Sequence, residues 1–281
     1  MPITTINGVR LYWEQQGDGA PLVLVHGSWG DHHNWDAVVP QLSRSFRVFT
    51  YDRRGHSQSE RVAAQGHVEE DVADLAAFIT AQRLAPVHLA GNSFGAVISL
   101  KLAASQPQLL ASLNVHEPPL IGMLEGDPMM AGVRQRVGAV VATLKSGDAE
   151  AGARQFVETV ALGAGMWERL PAPVRQTFIF NAPTWLDETN EPESVMSVDL
   201  ARLRTFDRPA LLTQGDQSPP FFGVVLKKVA SALPHAQHHV YAGAGHVPHL
   251  THPDEYVRVL TRFVSGSTSS DRPSGNLSRA D

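Results

Sequence analysis

The sequence predicts an α/β protein built on a doubly wound, mostly parallel sheet, and three observations predict it. Segments of strand character alternate repeatedly with segments of helical spacing. Some strand segments, such as Pro21 to Val25, are short apolar runs without alternation, as expected of strands covered on both faces. The chain, at 281 residues, is long enough to bury a large core.

Taken in order, Val9 to Gln16 has β-branched and aromatic character, Gly17-Asp18-Gly19 turns, and Pro21 to Val25 is a short apolar run. Trp35 to Leu42 has helical spacing and Phe46 to Tyr51 reads as strand. Val72, Leu75, Ala76 and Ile79 form a helical stripe within Glu69 to Leu84. Pro86 to Ala90 is strand, Phe94 to Ala104 helix and Leu110 to Val115 strand. After Pro118-Pro119 the alternation stops. Gly132 to Leu144, Ala149 to Leu162 and Val174 to Trp185 read as helices, with no convincing strand between Leu120 and Arg204. It then resumes, with strands at Pro209 to Thr213 and Gln237 to Tyr241 and helices at Phe222 to Leu233 and Pro253 to Val264. Ser265 to Asp281, rich in Ser, Gly, Asp and Arg without an apolar pattern, reads as a disordered tail.

Bulk properties narrow the function. There is no cysteine, which excludes disulfides, thiol nucleophiles and thiolate metal sites and fits a reducing compartment. The net charge of −5 with scattered lysines leaves no footprint for nucleic acid or an anionic membrane. The N-terminus lacks the basic start and apolar core of a secretory signal, and no apolar stretch reaches membrane-spanning length. The expectation is a cytoplasmic protein acting on a small molecule, with no cofactor; a homodimer is left open.

Gly91-Asn92-Ser93-Phe94-Gly95 lies between a buried strand and a helix. In that context G-x-S-x-G is a nucleophile elbow, a sharp turn that needs glycines two residues away on each side so that the chain can pass closely. An incidental serine in a glycine-rich turn is the bland alternative, and it rarely falls between strand and helix. Here the chain resembles the α/β-hydrolase superfamily, from about Asn7 to Phe263. His26-Gly27 is similar to that family's HG turn, and Asp52-Arg53-Arg54-Gly55-His56-Ser57 to its D-x-R-G turn, with serine at position 57 where glycine is usual. The resemblance implies an eight-stranded, mostly parallel sheet with helices on both faces and a helical cap after strand 6. The core would be residues 1–119 and 205–264, the cap 120–204 and the tail 265–281.

A serine hydroxyl needs a neighbour to take its proton. Among 13 histidines, His246, in Ala242-Gly243-Ala244-Gly245-His246 after the last strand, occupies the loop that holds the family's catalytic histidine. His249 and His252 fall toward a helix start. His32-His33 and His238-His239 lack zinc-motif spacing, so no metal is expected. The oxyanion donors expected are the amides of Phe94 and Ser28, with Trp29 as second choice. Gly27 and Gly30 make a loop like a nucleotide-binding turn, but it lacks the full dinucleotide fingerprint and a P-loop lysine.

Two carboxylates compete as the acid. The commoner family position follows strand 7, but in Gly215-Asp216-Gln217-Ser218 a serine stands there and Asp216 is two places early. Some relatives, certain haloalkane dehalogenases and the lactonases that open zearalenone among them, take the acid after strand 6. There Asn114-Val115-His116-Glu117 places Glu117 24 residues after Ser93. A charged residue ending a buried strand needs a partner, and a histidine supplies one. Glu117 is preferred, with Asp216 the alternative.

In the family an insertion after strand 6 is a lid. Its Met123, Met129, Met130, Phe156, Met166, Trp167, Phe178, Phe180 and Trp185 serve mostly to pack cap on core, but collectively they imply an apolar pocket. Trp29, Met123, Phe180, Trp185, Phe221 and Val247 are its expected lining. No arginine clamp stands out, Arg54 and Arg134 being the candidates for one. The expected activity is hydrolysis of a small-to-medium apolar ester or lactone through an acyl-enzyme. C–C bond hydrolysis, hydroxynitrile lysis, perhydrolysis and cofactor-free oxygenation use the same triad on this fold, and a non-catalytic ligand receptor is the alternative outside enzymes. Serine at the elbow argues against the alkyl-enzyme chemistry of epoxide hydrolases and dehalogenases.

Overall fold

The computed structural model describes residues 2–63, 65–192 and 195–269. Eight strands, β1 (Ile3–Ile6), β2 (Val9–Gln16), β3 (Ala20–Val25), β4 (Phe46–Tyr51), β5 (Val87–Asn92), β6 (Leu110–His116), β7 (Ala210–Gly215) and β8 (Gln237–Tyr241), form one sheet in the order β1-β2-β4-β3-β5-β6-β7-β8. Only β1–β2 and β2–β4 pair antiparallel. This is the α/β-hydrolase sheet. The first hairpin turns at Asn7 (φ 48°) and Gly8 (φ 81°), the Asn-Gly pair that a tight hairpin favours.

Period-2 geometry divides each inner strand between two cores. Val23 and Val25 of β3, with Phe49 and Tyr51 of β4, face a core that also takes helices α1 (Val68–Ala81), α2 (Phe94–Ser105) and α6 (Phe221–Ala230). Leu22, Leu24, Phe46 and Val48 face the opposite core, closed by Trp35, Leu42 and helix α7 (Pro253–Ser269). Helix α7 runs through Ser269 rather than ending at Val264, so the tail expected from Ser265 starts as helix. The rest of that tail lies outside the described residues. Its first turns carry Tyr256, Leu260, Phe263 and Val264 into the core, and helix propagation past that anchor does not need an apolar face.

Between β6 and β7 the described chain is helical and loop, chiefly α3 (Ala131–Lys145), α4 (Ala149–Phe156) and α5 (Ala172–Glu188). These three share an apolar cluster with Trp29, which reaches into it from the loop after β3. No helix among the described residues is long and apolar enough to cross a membrane.

The elbow depends on close packing that a sequence change can probe. A Cβ on Gly95 would overlap the carbonyl oxygens of Val25 and His26, whereas one on Gly138, exposed within α3, would meet nothing. Denaturant unfolding of Gly95→Ala should show a loss of about 1–3 kcal/mol or more. Gly138→Ala should gain up to about 1 kcal/mol, and equal effects at the two sites would contradict the packing.

Candidate active site

Ser93 sits between β5 and α2 with φ 56° and ψ −123°, a strained backbone for a residue with a side chain. Three neighbours hold it there. Its amide donates to His116 O at 3.0 Å, tying the elbow to the end of β6. Gly91 has no room for a Cβ because Gly95 O and Ser99 Oγ occupy the space. Gly27 comes so close that a Cβ would lie 3.0 Å from Ser93 Cβ and 3.5 Å from its Oγ. The HG loop therefore passes directly beside the hydroxyl.

Glu117, also at positive φ (45°), turns its fully buried carboxylate off the end of β6. Oε1 accepts from Gly215 N at 2.8 Å, and Oε2 contacts His246 Nδ1 at 2.6 Å. Burial pushes this carboxyl up, but the hydrogen bond from His246 and the neighbouring imidazoles and Ser218 hydroxyl outweigh it, so Glu117 is held below the usual range. Asp216 does not reach the histidine. Its Oδ1 accepts from Gly243 N at 2.8 Å and from Gln217 Nε2 at 3.0 Å, which ties the turn after β7 to the turn after β8.

His246 is fixed from three sides. Its Nδ1 faces Glu117, its carbonyl accepts from Asn92 Nδ2 at 3.0 Å, and Phe222 stacks on its ring at 4.7 Å. Asn92 immediately precedes Ser93, so one residue links the elbow to the histidine loop. His116 is buried beside both groups. Its Nδ1 meets Thr213 Oγ1 at 2.9 Å, its Nε2 lies 3.6 Å from Glu117 Oε2, and burial lowers it to about 3, so the ring is neutral.

The loop after β3 is held by the helical segment between β6 and β7. Trp29 (φ 67°) is fully buried, its ring against Phe156, Phe178 and Trp185 at centroid distances of 4.8, 5.8 and 4.8 Å. Asn181 Nδ2 donates to Trp29 O and Gly30 O, and its Oδ1 accepts from Ser57 N at 2.8 Å. Thr184 donates to Gly55 O. Glu188 accepts from Ser28 Oγ at 2.7 Å and pairs with the buried Arg53, which also bonds Asp71 and lies over the Phe94 ring at 4.6 Å. Asn181, Thr184, Trp185 and Glu188 follow i, i+3, i+4, i+7 spacing, one face of α5. Among the described residues, the amides of Ser28 and Phe94 donate to no protein group.

Other expected lining residues fall in different places. Trp29 and Trp185 pack inside the cap cluster, and Met123 and Phe221 pack against the main core. Val247 is half-buried beside His246. Phe180 is 66% exposed: it falls outside the inward stripe of α5, which corrects its expected place in the pocket. Arg54 is engaged by Asp74 and Glu70, and Arg134 by the carbonyls of Leu124 and Asp127. Phe222, expected with Phe221, Trp29 and Phe94 to add to an apolar pocket, stacks on His246. Asn92, Asn181 and Glu188 are not site candidates from the sequence, and only the elbow position of Asn92 carries any signal for them.

Among the described residues, two clusters have metal-ligand chemistry: His116, Glu117 and His246, and Asp31, His32 and Asp52. In the second the groups satisfy one another and nearby donors. Asp52 Oδ1 accepts from His32 N and contacts His32 Nδ1, while Asp31 takes His33 N and Ser57 Oγ.

A strand-to-helix elbow after β5 and a histidine loop after β8, meeting at the carboxyl edge of this sheet, define the class as an α/β hydrolase. The chain belongs to the alpha/beta hydrolase family, whose model matches residues 22–259. It is 27% identical over 269 residues to the pimeloyl-acyl-carrier-protein methyl ester esterase of Yersinia pseudotuberculosis, covering 91% of this chain and 97% of that protein. It is 38% identical over 112 residues to the dihydrolipoyllysine-residue acetyltransferase component of the acetoin cleaving system of Pseudomonas putida. That match takes in 39% of this chain and spans 30% of the relative's length. The enol-lactonase of Burkholderia xenovorans LB400 shares the fold, with a TM-score of 0.76 at 21% identity over 94% of this chain and 100% of that one.

Glu188 supplies half of the countercharge of a buried guanidinium. Glu188→Ala should lower unfolding stability by about 3–5 kcal/mol, because it leaves that buried charge with Asp71 in place of two carboxylates. A loss below about 1 kcal/mol in a denaturant titration would show that Asp71 alone suffices for Arg53.

Proposed function

We propose that the protein is a serine hydrolase that cleaves a small-to-medium apolar carboxylic ester or lactone through an acyl-enzyme. The observation that carries this reading is the Glu117–His246 contact at 2.6 Å, one loop away from an elbow serine. His246 Nε2 takes the Ser93 Oγ proton as Oγ attacks the carbonyl carbon, and Glu117 stabilises the resulting imidazolium. The amides of Ser28 and Phe94 stabilise the oxyanion. The tetrahedral intermediate collapses, and His246 passes its proton to the departing alcohol oxygen. Water, deprotonated by the same imidazole, then releases the acid and regenerates Ser93. Similarity to a methyl ester esterase over nearly the whole chain favours ester over C–C bond cleavage. The apolar cap cluster and the committed arginines favour an uncharged acyl group.

The expected result is hydrolysis of p-nitrophenyl butyrate and labelling by a fluorophosphonate, both lost in Ser93→Ala. Glu117→Gln should lower turnover by about 10⁴-fold, while Asp216→Asn stays near wild type. A folded protein that neither turns over nor labels is a ligand receptor instead, and a near-silent Glu117→Gln removes the assigned acid.

A further inference from the structure

His116 turns one ring nitrogen toward Glu117. Thr213 engages Nδ1, whereas Nε2 is buried, makes no close hydrogen bond and faces Glu117 Oε2 at 3.6 Å, with the Gly245 backbone as the other polar neighbour of the ring. We propose that His116 Nε2, Glu117 Oε2 and His246 Nδ1 form a site for Zn²⁺, and that its occupation switches the hydrolase off. The site rests on geometry alone; its inhibitory effect rests on the proposed role of His246.

The donor set is two imidazole nitrogens and one carboxylate oxygen, all within 4.8 Å of one another. That combination suits a borderline cation such as Zn²⁺ and, having no amide or carbonyl majority, suits Mg²⁺ or Ca²⁺ poorly. Metal–ligand bonds of about 2.0–2.2 Å put tetrahedral ligand atoms roughly 3.4 Å apart. The His116–Glu117 pair is already near that spacing. The His246–Glu117 contact, at 2.6 Å, has to open by roughly 0.8 Å to reach it. His246 is the ligand able to do so, since its side chain is 14% exposed and sits on a loop, whereas the other two are held at a strand end.

The chemistry balances as a change of tautomer. The cation bonds His246 Nδ1, the proton carried there moves through solvent to Nε2 so that the ring stays neutral, and the Nδ1–H···Oε2 hydrogen bond is lost. With Nδ1 metallated and Nε2 protonated, the imidazole has no lone pair left to accept the Ser93 proton. Removal of the cation by a chelator returns the proton to Nδ1 and restores activity. Sequence spacing gave no hint of this site, because His246 lies 129 residues from Glu117.

The test uses the full chain with Zn²⁺ and Co²⁺ as probes. Buffered free Zn²⁺ should inhibit p-nitrophenyl butyrate hydrolysis reversibly with EDTA, and His116→Asn should need at least about tenfold more cation. Independently of turnover and of that variant's folding, Co²⁺ added to Ser93→Ala should give the intense visible band of tetrahedral cobalt. Zn²⁺ should displace it, and it should be absent in Ser93→Ala/His246→Asn. Equal inhibition of wild type and His116→Asn, or a cobalt band indifferent to His246→Asn, would place the cation on surface histidines such as His238 and overturn the proposal. An intact cobalt band in a protein that fluorophosphonate does not label sinks the serine mechanism and keeps the site. Labelled, active enzyme that binds neither cation does the reverse.

Discussion

A carboxylate at the end of a buried strand cannot stand alone, and the arrangement of this molecule's active edge follows from satisfying it. Glu117 leaves β6 in a left-handed conformation with no exposure to water, and an unpaired charge there would cost several kcal/mol. The sheet order supplies what it needs. Because β7 lies next to β6, the Gly215 amide arrives at one oxygen; because β8 lies next to β7, the loop that follows it brings His246 to the other. On the opposite side β5 is the neighbour, and the Ser93 amide bonds the carbonyl of the residue before Glu117. The elbow serine, Glu117 and the histidine loop are thus brought together by the adjacent ends of β5, β6, β7 and β8.

The second constraint comes from the cap. A lid that merely covered a pocket would need only apolar contact, yet α5 spends Asn181, Thr184 and Glu188 on the loops that carry Trp29, Ser28 and Gly55. Trp29 adds a buried aromatic plug at positive φ. Helix α5 and the loop after β3 are thus tied to each other beside Ser93. Arg53, under Phe94 and between Asp71 and Glu188, extends that connection to the elbow.

Much of this was legible in the residues alone. The buried strand β4 emerges with matching ends, because a continuous apolar run bounded by turns has one reading in an alternating chain, and the largely exposed edge strand β8 matches as well through its place in the alternation. The elbow was legible through its glycines, and Glu117 through its spacing and the cost of leaving it unpaired. What stayed hidden has physical reasons. Strand β1 is only four residues long, and its one clear mark is the Asn7-Gly8 turn. Phe180 could not be separated from Trp185 by composition, since only the facing of α5, set by contacts with residues over a hundred positions away, decides which one turns inward. Asn92, Asn181 and Glu188 act through such long-range contacts, which no local pattern records.

The central claim is that Glu117, and not Asp216, is the carboxylate that engages His246 Nδ1. A proton held between a carboxylate and an imidazole nitrogen is strongly deshielded, so proton NMR of the folded protein reads the pair directly. The account predicts a far-downfield His246 Nδ1–H resonance that persists in Asp216→Asn and vanishes in Glu117→Gln. A resonance that survives Glu117→Gln and disappears with Asp216 would contradict it.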